Sequence, residues 1–591
     1  MKCDNLSTDK KDKSIFLALF VIILAVFFYC ASTLYFISQV ASPLIYADAW
    51  YFLDTAIKKW MLVGIDFSDF FIKRGAVDHA QPLNKITLLF LYKFLHLDFR
   101  FEALVGFLGL WAIMLMFVII YYQRIIKGYL NWVSVIAFIS AISIITSINV
   151  TDIYTWPLVT FSFLTFLLML IASVMTWRFL TRESTFGAIA ITILIIPLIG
   201  DTISILLWIS LLVTVVVFSL SGNKNYKNRA IKWVIATTIY ELVIYSLINW
   251  QFFIGGSTHY LTTQNKNLIS WFDPIFYMEI IKIVFSSSLV HRLHLITLGN
   301  SASTVSWVIA LIVFGFYVRY FIMLFLTKKY HTMEKFLTTF ILIYATTSVI
   351  AIIYGRVPVF GLDYLNQPRY VATYQLIPFA LMMDFAYSWT YKKINISIFW
   401  GWLFFTAASL LLAMQFMFYV DAYKSVSSIS MYYDKQAKAI GNYLIDPLLP
   451  AGNCTRANLT ICDMSIDKRN ELLGLLKKEH LNVLNTAFQM RYRLFPLEGK
   501  AQVFNVISWG PQMIRSTTNK VGIYIKLSDQ LFDAKAQFII VLNNQKIYPA
   551  VDGDVLAFEV PSELTSKTGA YTIELIVGGS RSIPIGEFKV Y

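Results

Sequence analysis

The stretch SIFLALFVIILAVFFYCASTLYFI, residues Ser14 to Ile37, decides the fold class. It carries no charge, and as a helix rising about 1.5 Å per residue it crosses a hydrocarbon core of about 30 Å. Lys2, Lys10, Lys11 and Lys13 lie ahead of it, a basic tail (residues 1–13) that the positive-inside rule keeps in the cytoplasm. The apolar run exceeds the roughly 7–15 residues of a signal-peptide core, and no small-residue cleavage pattern closes it, so a retained span is expected.

The rest of the chain extends this reading. Of 591 residues 58% are hydrophobic and only 14% charged, which excludes disordered, collagenous and ordinary cytosolic classes. Further apolar runs near 101–122, 131–149, 157–177, 186–200, 203–221, 233–254, 302–326, 335–354, 371–389 and 396–419 predict about eleven spans within residues 14–420. The net charge of +14 is a topology signal here, not a nucleic-acid footprint. Arg124/Lys127, Arg178/Arg182, Lys224/Lys227/Arg229/Lys232, Lys328/Lys329/Lys335 and Lys392/Lys393 fall in alternate loops, which are then cytoplasmic. An odd number of spans places the carboxyl end outside.

Three predicted outer segments, 41–100, 255–300 and about 355–370, carry basic residues against that rule, and function is sought there. They hold His79, His96, His259, His291 and His294, each of which also reads as an ordinary loop or interface histidine. Residues 421–500 lose the long apolar runs and read as an extracytoplasmic helical region, with helical spacing at Leu472, Leu473, Leu475 and Leu476 between Asp467 and Leu484. From about 501 to 591 the runs VGIYIKL, AQFIIVL, LAFEV and YTIELIV, separated by turn residues, predict a small β-sandwich. Cys454 and Cys462 on the oxidising side are expected to form a disulfide.

The first outer loop opens on YADAWYFLDTAIKKW, where Asp48 sits among aromatic residues at the membrane surface. A carboxylate is costly to desolvate, so one placed there is more readily kept for chemistry than for packing; capping the helix that runs to Trp60 is the other reading. Further on, Lys73, Arg74, Asp78, His79 and Lys85 crowd around Pro82. Cations beside a membrane suit a phosphate, and a nearby carboxylate can take a proton from an incoming hydroxyl; contact with anionic headgroups is the alternative. Asp152 and Asp201 face the same side and either join Asp48 around a divalent metal ion, the one cofactor left open, or cap helices. His291 and His294 form a weak metal pattern, three residues apart without a carboxylate.

A single span, a large outer loop with an early Asp, and a DHxxPL segment, here Asp78-His79-Ala80-Gln81-Pro82-Leu83, resemble the polytopic GT-C class of glycosyltransferases. The late segment YGRVPVFGLDYLNQPRYVATYQL resembles the Gly-Arg … Arg-Tyr stretch of bacterial members at Gly355, Arg356, Arg369 and Tyr370, and KKEHLNVL, Lys477 to Leu484, resembles the helix after their last span. The resemblance implies a GT-C-like, α-helical polytopic protein of the bacterial inner membrane with a periplasmic α+β region. It implies transfer of a sugar from a polyprenyl-phosphate carrier to a glycan, lipid or protein acceptor. Asp48 would serve as the catalytic base, and Asp78, His79, Lys85, Arg356, Arg369 and Tyr370 would bind the substrate. Arg and Tyr at a span boundary also suit interfacial anchoring.

The chain departs from protein O-mannosyltransferases in having Asp48-Ala49 where they carry an Asp-Glu pair, and it lacks a WWDYG-like motif. Two neighbouring readings remain: a transporter or flippase of lipid-linked sugar, and a polymerase or ligase of surface glycan. Neither a GxxxxGK[ST] loop nor a GxSxG elbow is present, which removes support for ATP-driven transport and α/β-hydrolase chemistry.

Overall fold

The computed structural model describes residues 4–73, 79–127, 131–181, 186–220, 224–255, 273–326, 332–390, 398–445, 464–485, 488, 506–517, 519–527, 538–547, 549–552, 555–577 and 581–591. The predicted apolar runs become helices, and α2, α9 and the start of α12 form outside them: α1 (Asp4–Val40), α2 (Pro82–Phe94), α3 (Arg100–Lys127), α4 (Trp132–Ile145), α5 (Pro157–Thr181), α6 (Phe186–Ile199), α7 (Asp201–Leu220), α8 (Lys224–Gly255), α9 (Pro274–Ser287), α10 (Ala302–Leu326), α11 (Met333–Phe360), α12 (Pro368–Tyr374), α13 (Leu376–Trp389) and α14 (Ile398–Ile445). Among the described residues eight helical segments are long and apolar enough to cross a membrane, from Ser14–Val40 to Phe405–Ile429. Shorter apolar helices, Trp132–Ile145 and Ile189–Ile199, together with α13, occupy the remaining predicted runs. The chain is thus a multi-pass, mainly helical membrane protein with a C-terminal β region.

The chain divides into two compact units. One comprises Met1–Pro43, Tyr51–Leu91 and Phe99–Ile429; the other comprises Leu44–Trp50, Tyr92–Asp98 and Ser430–Tyr591.

Within the first unit α3 and α5 make the tightest helix pair, and glycine is the reason. A Cβ on Gly106 would stand 2.2 Å from the Thr160 carbonyl oxygen, and one on Gly109 would stand 2.6 Å from Leu164 backbone. Small residues let helix backbones meet where lipid offers no hydrophobic drive to association. Gly106→Ala is therefore expected to force the pair apart, destabilising the protein by about 1–3 kcal/mol and lowering its detergent-solubilised melting temperature. An unchanged melting temperature would show the backbones can separate at little cost. Helix α9, within the predicted outer segment 255–300, buries Ile280, Ile283 and Val284 and packs on α10.

In the second unit, helix α15 (Ile466–Lys478) starts at Ser465, whose Oγ accepts from the Lys468 N–H at 3.4 Å. It stops six residues before the predicted Leu484. His480 turns left-handed at φ 49, and the Leu481 N–H donates to the Leu476 carbonyl at 3.0 Å, with Leu476 and Leu481 both buried. That is a Schellman closure with its hydrophobic contact, which ends a helix by satisfying its last carbonyls. Asn482, next along, is buried and donates from its backbone N–H to the His96 carbonyl at 2.7 Å and from Nδ2 to the Leu97 carbonyl at 2.6 Å. Both acceptors are in left-handed backbone, φ 49 and 61, so Asn482 clasps a strained turn of the first loop.

The β region is a sandwich of two sheets. Strands β1 (Val506–Gly510), β2 (Met513–Ile514), β3 (Val521–Leu527), β4 (Phe538–Leu542), β5 (Gln545–Ile547), β6 (Ala550–Asp552), β7 (Val555–Val560), β8 (Gly569–Val577) and β9 (Arg581–Val590) order as β1-β3-β7-β6 and β2-β9-β8-β4-β5. Period-2 alternation sets the core: Ile523, Ile525 and Leu527 of β3 point inward with Leu556, Phe558 and Val560 of β7. They share one cluster with Ile540, Ile573, Leu575 and Phe588 of the other sheet. Cys454 and Cys462 lie outside the described residues.

Candidate functional site

Two constellations at the predicted outer end of the first unit are structural. The first ties down the 41–100 loop. Lys73 Nζ is buried and lies 2.5 Å from Asp201 Oδ2 and 2.7 Å from Asn249 Oδ1, while the Ala80 N–H donates to Asp201 Oδ1 at 3.1 Å. His79 Nδ1 meets Thr202 Oγ1 at 2.9 Å, and Gly200, at φ +92, lets Gln81 and Pro82 approach α7. Lys85 Nζ is spent on the carbonyls of Asp69 and Ile72. Asp69 is buried; that burial alone would raise its pKa, but Lys59, the Asp66 N–H and Trp60 all favour the carboxylate and hold it below the usual range. His79 and Lys85, expected among the substrate ligands, are thus engaged in holding the loop, and Asp78 lies outside the described residues.

The Lys73–Asp201 pair supports a stability test. Asp201→Leu should cost about 3–5 kcal/mol because it leaves a buried ammonium with less compensation, and adding Lys73→Met should recover most of the loss. A double variant no better than Asp201→Leu alone would overturn this coupling.

The second constellation joins three loops. The His291 N–H donates to Asn149 Oδ1 at 2.9 Å, His294 Nε2 lies 2.7 Å from the Asn149 carbonyl, and His291 Nε2 lies 3.0 Å from the Asn366 carbonyl. Burial is the main force lowering the His291 pKa, opposed by the Asn366 hydrogen bond and aided by His294 and Arg292. A neutral imidazole suits this bracing role. Among the described residues no group of three or more His, Cys, Asp or Glu is placed to hold a metal ion, and Asp201 is engaged with Lys73.

What remains is a cationic site around Tyr370. Pro368 starts α12 and presents Arg369, whose guanidinium carbon lies 5.5 Å from the Trp156 ring centroid, 5.5 Å from Tyr364 and 5.3 Å from Tyr370. Phe360 stacks on Tyr364 at 4.5 Å and extends the aromatic wall. Rings attract a guanidinium over their faces and leave its N–H groups, which lie in its plane, for other partners. One of these donates to the Tyr364 hydroxyl; Nε is buried without a hydrogen-bond partner. Arg356 of α11 is half-buried, and its guanidinium makes no hydrogen bond or ion pair among the described residues. Burial pushes the Tyr370 phenol up to about 12, against the pull of Arg369 and Arg356, with Tyr364 pushing the same way as burial. Two guanidiniums and a protonated phenol therefore converge with no carboxylate of this set to neutralise them. Such a set can bind an anion with several oxygens.

The short turn Asp152–Thr155 packs against α12, bringing Trp156 to Arg369. Asp152 reaches solvent, yet protein surrounds it closely enough to raise its pKa, and its carboxylate makes no hydrogen bond or ion pair among the described residues. Sequence reasoning passed over Trp156 and read Asp152 mainly as a cap; an acid four residues ahead of a Trp in a loop without Lys or Arg was the available signal. Asp48 belongs to the other unit, in a turn following Ala47 at φ 47. Its carboxylate is half-buried and makes no hydrogen bond or ion pair among the described residues, so it does not cap the helix that follows.

Compared with known families, curated proteins and solved structures, the chain matches no family model, no curated protein and no solved structure.

Proposed function

We propose that the chain is a GT-C-like glycosyltransferase of the bacterial inner membrane with about eleven spans and a periplasmic C-terminal region. It transfers a sugar from a polyprenyl-phosphate carrier to a glycan, lipid or protein acceptor. The observation that carries this reading is the Arg356–Tyr370–Arg369 set, a cationic cluster at the end of membrane helices where a lipid-borne phosphate would stand. Alternate placement of basic loops supports a cytoplasmic amino terminus, with this cluster outside. Asp48 is assigned the acceptor proton, in keeping with the absence of any hydrogen bond or ion pair to its carboxylate among the described residues.

Purified full-length protein incubated with a panel of polyprenyl-phosphate sugars should release polyprenyl phosphate in step with glycosylated acceptor, read by mass spectrometry. Movement of intact carrier across a vesicle without cleavage would instead establish the flippase reading.

Asp152 gives this proposal a pH signature. Asp152 stands on the turn that packs on α12: ionised, it repels an anionic donor held at that helix; protonated, it does not. Donor KM should therefore rise with pH through its raised pKa, and Asp152→Asn should abolish that rise and lower KM at the alkaline side by a factor of about three to ten. The stability sign is fixed too. A carboxyl whose folded pKa is raised binds more protons folded than unfolded between the two values, so stability falls as pH rises through that window. Asp152→Asn should raise the melting temperature at neutral pH but not near pH 4. A pH-independent KM in the unmodified protein would remove Asp152 from the donor site.

A further inference from the structure

At the opposite end of the first unit, α3, α5 and α11 enclose a groove of about 200 Å³. Its walls include Met116, Ile120, Met175 and Met333, and its polar residues are Gln123 and Arg178. All three helices are apolar enough to span a membrane, so hydrocarbon rather than water meets the groove. Methionine walls adapt to a flexible chain, which a rigid aromatic wall would not.

Charge completes the picture. Arg178 sits in the last turn of α5, exposed, with no ion pair among the described residues, while neighbouring basic groups at this end are matched: Arg124 lies 3.7 Å from Glu334, and Lys335 lies 2.5 Å from Asp384. We propose that this groove binds one acyl chain of an acidic phospholipid whose phosphate is held by Arg178 and Gln123. The site is separate from the Tyr370 cluster and does not depend on the transferase reading. A basic position between spanning helices at headgroup depth is the arrangement that selects anionic over zwitterionic lipid. In a zwitterionic lipid a tethered ammonium already neutralises the phosphate.

The test is native mass spectrometry of the full-length protein in mild detergent, titrated with phosphatidylglycerol or with phosphatidylcholine of the same acyl chains. One phosphatidylglycerol should be retained at collision energies that strip phosphatidylcholine, and inorganic phosphate should not displace it. Arg178→Ala should weaken phosphatidylglycerol binding at least about tenfold and erase the preference. Met175→Trp, which fills the groove, should weaken both lipids, with circular dichroism confirming that it folds. Equal retention of the two lipids by the unmodified protein, or unaltered phosphatidylglycerol binding in Arg178→Ala, would overturn the proposal. Should Met175→Trp misfold, the Arg178→Ala comparison decides alone.

Discussion

Arg369→Ala is expected to lower kcat/KM for the polyprenyl-phosphate donor by about 10²–10³, an effect of about 2.7–4 kcal/mol, the range found when one preorganised charge-stabilising donor is removed. The physical reason is preorganisation. Three rings hold the guanidinium, one N–H is spent on Tyr364, and a buried Nε has no partner, so part of the desolvation cost of binding an anion is already met in the folded protein. Lysine should not rescue, because an ammonium is a point charge that cannot lie flat against three rings and offer parallel N–H groups. Loss of the ring contacts will also cost stability, so Arg356→Ala supplies the control. The Arg356 guanidinium makes no hydrogen bond or ion pair among the described residues, and removing it should raise donor KM by about tenfold with the melting temperature unchanged. Donor kinetics indifferent to both substitutions would end the phosphate assignment.

The membrane helices were legible because lipid imposes one dominant rule, that backbone polar groups be satisfied inside an apolar segment, and long apolar runs have few other ways to comply. The β-sandwich was legible from the period-2 pattern of VGIYIKL and LAFEV, whose alternate residues are the ones found inward. The end of α15 was not, since leucine spacing continues to Leu484 and only the left-handed turn at His480 and the closure onto Leu476 stop it.

The site divides in the same way. Arg356, Arg369 and Tyr370 stood in one segment and could be read together. Lys73 and Lys85 stood in one loop too, but their partners, Asp201 on α7 and backbone carbonyls of the loop itself, depend on folding; a cation's sequence neighbours do not tell whether its charge is already used. Trp156 illustrates the converse. Nothing near it in sequence predicts a guanidinium on its face, and the pairing exists because a four-residue helical turn packs on α12.

Asp48→Asn is expected to abolish sugar transfer, by about 10²–10⁴ in kcat, with donor KM little changed. The substitution is nearly isosteric, and the Asp48 carboxylate makes no hydrogen bond or ion pair among the described residues, so nothing in the fold is lost with its charge. A loss of turnover can then be assigned to chemistry, provided membrane insertion and melting temperature match those of the unmodified protein. An amide cannot accept the proton of the attacking hydroxyl, whereas Asp48→Glu retains a base and should keep measurable activity displaced by one methylene. The comparison with Asp152→Asn decides between Asp48 and Asp152. If Asp48 is the base, Asp152→Asn changes donor KM and its pH dependence while kcat stays within about tenfold, because its influence is electrostatic rather than chemical. The reverse pattern, with turnover surviving in Asp48→Asn and lost in Asp152→Asn, would transfer the base to the acid beside Trp156.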